Sequence, residues 1–136
     1  MTSRHQIINP SSLPKPSGFA HAVVAAPGRT VYLGGQAALE SDGITVIPGG
    51  LVEQFDRSLF YIVEALKASG GDPEHIVSML VFTTDAATYR SNMKSLGKIW
   101  KTHMGSHYPA MTLLQVSGLL YPDLLVELLA TAVIPD

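Results

Sequence analysis

Leu51, Phe55, Leu59, Ile62 and Leu66 recur at steps of four, four, three and four. That single apolar stripe predicts a helix. Glu53 and Arg57 sit on its other side as an i,i+4 pair, worth roughly a few tenths of a kcal/mol. Gly70-Gly71 supplies the stop, and Asp72-Pro73 a turn or the cap of a single helical turn. Residues 76–85, IVSMLVFTTD, are β-branched and too apolar for an exposed strand, so they belong in the middle of a sheet. A second helix is predicted over residues 87–104, with Tyr89, Met93, Leu96 and Trp100 as its stripe and Gly105 as its end. Gly97 inside it costs about 1 kcal/mol relative to Ala, which points to close packing there. Two strands follow, residues 110–116 and 124–134, joined by SGLLYPD.

Ahead of the first helix, short apolar runs at residues 20–26 and 30–33 flank Pro27-Gly28, the pattern of a β-hairpin. Gly34-Gly35 marks a bulge or a close backbone approach. A short strand at 44–47 fits between Asp42-Gly43 and Pro48-Gly49-Gly50. Residues 1–18, with Pro10, Pro14 and Pro16, read as an extended arm without regular structure.

The order ββ(β)αβαββ is α+β, and the simplest packing sets two helices on one face of a mixed sheet. One domain over residues 1–136 is expected. Both phases of the 124–134 strand are apolar: Leu125, Leu129 and Val133 on one, Val126, Leu128 and Ile134 on the other. One phase packs under the helices, and no third helix is left to cover the other. Apolar residues make up 46% of the chain and charged residues 15%, well below the usual quarter. Both facts point to a homo-oligomer that buries sheet faces together.

Charge and cysteine content exclude several classes. The net charge is −2, without a Lys/Arg cluster, so neither nucleic acid nor an acidic membrane surface is expected as partner. With no cysteine there is no thiolate nucleophile, disulfide framework or Cys-based metal site. The N-terminus is polar and Pro-rich, unlike a signal peptide, and no apolar run reaches about 18 residues. A cytoplasmic protein is expected.

Glu127 is the one charge between Asp123 and Asp136. Read from the residues alone, it faces solvent, pairs across a seam, or turns into a cleft. Gln115 on the preceding strand either faces a cleft or is an exposed polar residue. Gly34-Gly35-Gln36 either offers backbone N–H groups to a ligand or eases a strand crossing. His21 is a cleft residue or a rim residue. His103 and His107 have metal-ligand spacing, but Gly105 lies between them and no HExxH glutamate accompanies them, so no metal is expected.

Five stretches, INPSSLPKPSGFAHAV, VYLGGQ, ASGGDPEHIVSMLVFTTD, YPAMTLLQVSGL and LVELLATAV, together resemble the RidA (YjgF-like) family, whose members are also called L-PSP endoribonucleases or translation inhibitors. The resemblance implies a chorismate-mutase-like fold, with three subunits burying their open sheet faces and leaving three intersubunit clefts. It also implies hydrolytic deamination of small reactive enamines or imines to carbonyl compounds and ammonia, without a cofactor. A family Glu on the last strand, matched by Glu127, would position water or shuttle a proton. The ligand-binding positions implied are Phe19, His21, Gly34, Gly35, Gln36, Met111 and Gln115.

Three positions depart from the pattern. Phe19 stands where the family has tyrosine, and Gly34 where serine is frequent. Met111 stands where the family has the arginine that grips the substrate carboxylate. Losing a bidentate Arg–carboxylate pair costs about 1.5–3 kcal/mol. The chain is therefore expected to belong to a divergent branch whose ligand is larger, less acidic, or gripped from elsewhere; Arg29, Arg90, Lys15 and His21 are the candidates. The alternative to an enzyme is a non-catalytic trimer that binds a small metabolite or a partner in the same clefts. Nothing in the charge supports RNA cleavage.

Overall fold

The computed structural model describes residues 4–136. In chain order the elements are β1 (Gln6–Ile8), β2 (Ala22–Val24), β3 (Gly28–Ala37), α1 (Leu51–Ala68), β4 (Ile76–Thr83), α2 (Ala86–Ser91), α3 (Met93–Met104), β5 (Ala110–Gln115) and β6 (Val126–Pro135), with a single 3-10 turn at Pro73–His75 before β4. Strands β3, β6, β4 and β5 lie side by side in that order. The β3–β6 and β6–β4 pairs are antiparallel and β4–β5 is parallel, so the sheet is mixed. As the apolar run of residues 76–85 requires, β4 is an interior strand.

The stripe Leu51, Phe55, Leu59, Ile62 and Leu66 is fully buried against the sheet, and Leu96, Trp100 and Met104 of α3 complete the same core. The even phase of β6 (Val126, Leu128, Ala130, Ala132) lies beneath the helices and is buried. The odd phase faces away. There Leu129 is 39% exposed, Leu114 on β5 is 39% exposed, and Tyr32, opposite Thr131, is 82% exposed. Within one chain, the second face of the sheet is apolar and uncovered.

Several local expectations are corrected. Residues 20–26 and 30–33 do not form a hairpin. β2 pairs instead with β1 in a separate two-stranded sheet, Gln6 opposite Val24, and β3 takes β6 as its partner from Gly28↔Pro135 onward. His5 fixes this choice: its Nδ1 accepts from Ala26 N (2.9 Å) and its Nε2 bonds Val133 O (2.8 Å), tying the small sheet to β6. The arm therefore contains a strand, β1; residues 1–3 of it lie outside the described residues. Residues 44–47 form one bridge, Leu39↔Val46, and no strand, because the Asp42 carboxylate folds the segment into a turn by accepting from Ile44 N and Thr45 N, both 2.8 Å. These bonds, led by that from the Thr45 hydroxyl, hold its pKa below the usual carboxylate range.

The expected helix over residues 87–104 is two helices. Asn92 Nδ2 donates to Thr88 O (2.8 Å), and the Asn92 amide bonds Tyr89 O instead. The side chain has displaced the backbone from its helical partner. Gly97 is exposed, with nothing near its Cα side-chain position, so close packing does not explain it. Glu53 does not pair with Arg57. Its carboxylate accepts from Gly50 N (2.7 Å) at the start of α1, and Arg57 reaches Glu40 at 3.4 Å.

Gln54 is buried at 2% exposure on the core side of α1. Its Nε2 donates to Asp123 O (2.9 Å) and its Oε1 accepts from Leu125 N (2.8 Å). From the other side, Thr83 Oγ1 (2.8 Å) and Thr84 N (3.1 Å) both donate to Leu125 O. The entry to β6 is thereby clamped between α1 and the end of β4. Gln54→Leu keeps the volume but strands one donor and one acceptor, and is expected to cost about 2–5 kcal/mol. Urea denaturation of the variant beside Lys98→Ala, which truncates an exposed residue of α3, checks this.

Candidate functional site

The clamp on Leu125 aims the start of β6. Two residues later Glu127 pairs with Ala37 on β3 and Phe82 on β4 and stands, half-buried, on the uncovered face. Opposite it β3 is irregular: the register shifts between Leu33 and Gln36, with Gly34-Gly35 as the extra length. This is the bulge that the two glycines predict. The carboxylate lies against the Gly35 backbone so closely that a methyl group at Gly35 would overlap Glu127 Oε2 and come within 3.4 Å of Cδ. Glycine at 35 leaves room for the carboxylate where it lies, through proximity and not through backbone angle.

Glu127, Gly35 and Gln36 line one open groove of about 870 Å³. Its walls also include loop residues Leu39 and Glu40, helix residues Arg57, Tyr61 and Ala65, and Leu120 and Leu124 before β6. Glu40 Oε1 lies 3.4 Å from Arg57 Nη1, which also donates to Tyr61 OH (3.3 Å). The Tyr61 hydroxyl in turn donates to Leu39 O (2.6 Å). Hydrogen bonding to Tyr61 pushes the Arg57 pKa above its already high ordinary value, so the groove carries one permanent cation.

The other expected ligand-binding residues lie elsewhere in the chain. Ala20 pairs with Ala110 and donates from its N–H to Pro109 O (2.9 Å), which lays the arm along the start of β5. Phe19 and His21 stack edge-on at 5.3 Å. The His21 ring bonds Pro14 O (2.7 Å) and its backbone N–H bonds Asn9 Oδ1 (2.8 Å), so the imidazole holds the arm in shape. Phe19 and Met111 border two small pockets of about 310 and 300 Å³, of which the second also includes His21. Tyr89 borders the first, its phenol pushed up to about 12 by burial. Met111, half-buried opposite Met79, also packs on the helix-side core.

Gln115 joins neither group, since its Oε1 accepts from Ala86 N (2.9 Å) at the start of α2. Gly34 neighbours the groove without lining it. His103 bonds Asp56 (2.6 Å) and His107 bonds Ile76 O (2.7 Å), so the pair does not converge. No three metal-ligating side chains are grouped among the described residues.

Arg57, Tyr61 and Leu39 were not legible as site residues. Arg57 has a ready helical partner by spacing in Glu53, and no spacing rule joins a loop at 39–43 to the second turn of a helix.

A family model described as endoribonuclease L-PSP matches residues 11–134. The chain belongs to this family. A goat (Capra hircus) protein named 2-iminobutanoate/2-iminopropanoate deaminase is 30% identical over 115 residues, 84% of this chain and 80% of that one. The crystal structure of YyfB from Yersinia pestis, a protein of unknown function of the conserved Rid family, matches with TM-score 0.84 at 29% identity, covering 96% of this chain and 98% of that one. RidA from an Antarctic Psychrobacter shares the fold, with TM-score 0.66 at 24% identity over 95% of this chain and 99% of that one. No described helix is long and apolar enough to cross a membrane.

The contact between Glu127 and residue 35 gives a direct test. In a crystal structure of Gly35→Ala, the Glu127 carboxylate is expected to move by about 1 Å to restore van der Waals distance. Gly34→Ala adds its methyl group where nothing lies within 4 Å and is expected to leave Glu127 in place.

Proposed function

We propose that the chain hydrolyses a small enamine or imine to a carbonyl compound and ammonia, using Glu127 and water in clefts between subunits of a homotrimer. The observation that carries this reading is the Glu127 carboxylate held against Gly35 at the wall of a large groove, in a family with members named imine deaminases.

The trimer draws its support from the uncovered apolar face bearing Tyr32, Leu114 and Leu129. Association of three such faces in the chorismate-mutase-like manner would remove that surface from water. It would also set the groove of one subunit beside the Phe19, His21 and Met111 pockets of its neighbour, two groups that one chain keeps apart.

The chemistry needs little from the protein. Protonation of the enamine carbon gives the iminium ion, in which C=N is the bond to be attacked. Glu127 orients a water molecule toward that carbon and accepts its proton as the C–O bond forms. Glu127 returns that proton to the carbinolamine nitrogen, ammonia leaves, and the hydroxyl proton is released as C=O forms, which replaces the proton spent on the enamine carbon. One water is consumed, one ammonia is released, and no electrons are exchanged.

A second reading, a non-catalytic trimer that binds a small metabolite or partner in the same clefts, is favoured by Met111 in the place of the family arginine. One experiment separates the two. 2-Iminobutanoate and larger, uncharged imines are generated in situ, and ammonia and oxo-product release are followed with and without protein. Wild type is expected to accelerate release, and Glu127→Gln to lower the protein-dependent rate by roughly 10²-fold or more. No acceleration across the panel decides for the binding protein, and full activity in Glu127→Gln removes that residue from the mechanism.

A further inference from the structure

Met111 leaves the reading above without a group to hold an acidic ligand, and the groove contains one. Arg57 is the only Lys, Arg or His among its lining residues. Arg90 borders the small pocket of Met111 instead.

The guanidinium is oriented but not saturated. Only Nη1 is engaged, by Glu40 at 3.4 Å and Tyr61 at 3.3 Å, both at the long end of the hydrogen-bond range. Nε and Nη2 have no hydrogen-bond partner among the described residues. Cζ lies 5.9 Å from the centre of the Tyr61 ring, a cation–π contact that uses none of the fork's donors. The Glu40 partner is itself 46% exposed, so the ion pair is weak and exchangeable. Two parallel N–H donors facing an incoming carboxylate make a stronger bond than one long contact.

Much of the rest of the lining is apolar: Leu39, Ala65, Leu120 and Leu124 share the groove with Arg57. At about 870 Å³ it has room for far more than a four-carbon acid.

We propose that Arg57 grips the carboxylate of the ligand that Glu127 acts on, and that this ligand is an imino acid with a bulky apolar side chain. The inference rests on the reading of Glu127 as the acid–base group. Glu40 then acts as a gate: it occupies Arg57 in the empty site and yields it to the ligand carboxylate.

The test uses inert compounds, so it does not depend on turnover. Binding of 4-methyl-2-oxopentanoate, the oxo acid that such an imino acid would yield, is measured by calorimetry on the full-length protein, beside its uncharged analogue 4-methylpentan-2-one. Arg57→Gln is expected to weaken the oxo acid about ten- to hundredfold and leave the ketone unchanged. Arg57→Lys retains part of the affinity, and Glu40→Gln tightens the oxo acid several-fold. Equal oxo-acid binding in wild type and Arg57→Gln overturns the proposal. So does a parallel loss of both compounds, or wild type that binds no oxo acid. If the binding pattern holds while imine turnover is absent, Arg57 keeps its role and the hydrolytic reading falls.

Discussion

The position of Glu127 follows from how one residue, Leu125, is held. Leu125 receives no help from its own strand, which begins a residue later. Its N–H is taken by a buried glutamine on α1 and its carbonyl by a hydroxyl and an amide at the end of β4. A strand entering a sheet between two already packed elements has little freedom left. The residue two places on, Glu127, inherits that rigidity. Polar groups at such a depth are costly unless fully paired, and here each has a partner of good length. The clamp thus joins the helix layer to the position of the carboxylate on the opposite face.

The second constraint is the shape of β3. A regular strand opposite Glu127 would present a Cβ where its carboxylate lies. Glycine at position 35 removes that atom, the bulge at Gly34-Gly35 shifts the register of the edge strand, and both Gly35 and Glu127 line the groove. The sheet consequently has two unlike faces. One is sealed by α1 and α3. The other carries exposed apolar side chains around a single acid, a surface expensive to leave in water and suited to burial against copies of itself. Family membership adds a chemical context for that acid, since relatives of similar length bear imine deaminase names.

The parts of this fold legible in the sequence are those set by local period. The stripe from Leu51 to Leu66, the apolar run at 76–85 and the two-phase strand at the C-terminus each carry their burial in their own spacing. Strand pairing was less legible. Pro27-Gly28 has the composition of a hairpin turn, yet the segment before it is tied to β6 by His5, 21 residues before Ala26, through backbone atoms no pattern displays. The break at Asn92 turns on a side-chain amide winning Thr88 O from the backbone, and the residue type alone does not decide that contest. Gln54 reads as polar and is among the most buried residues, because its partners are main-chain atoms of a distant segment. At the site, Glu127 and the Gly35 approach were legible. Arg57 was not, because sequence spacing offered it Glu53 while the fold offered Glu40 and Tyr61.

The claim at the centre of this account is that the Glu127 carboxylate meets the ligand. Carbon-13 NMR of the glutamate side-chain carboxyl carbons addresses it directly, with the Glu127 resonance assigned by its loss in Glu127→Gln. On titration with 2-oxobutanoate, the account requires the Glu127 resonance to shift in proportion to occupancy. A Glu127 resonance that stays fixed while the ligand binds would contradict it.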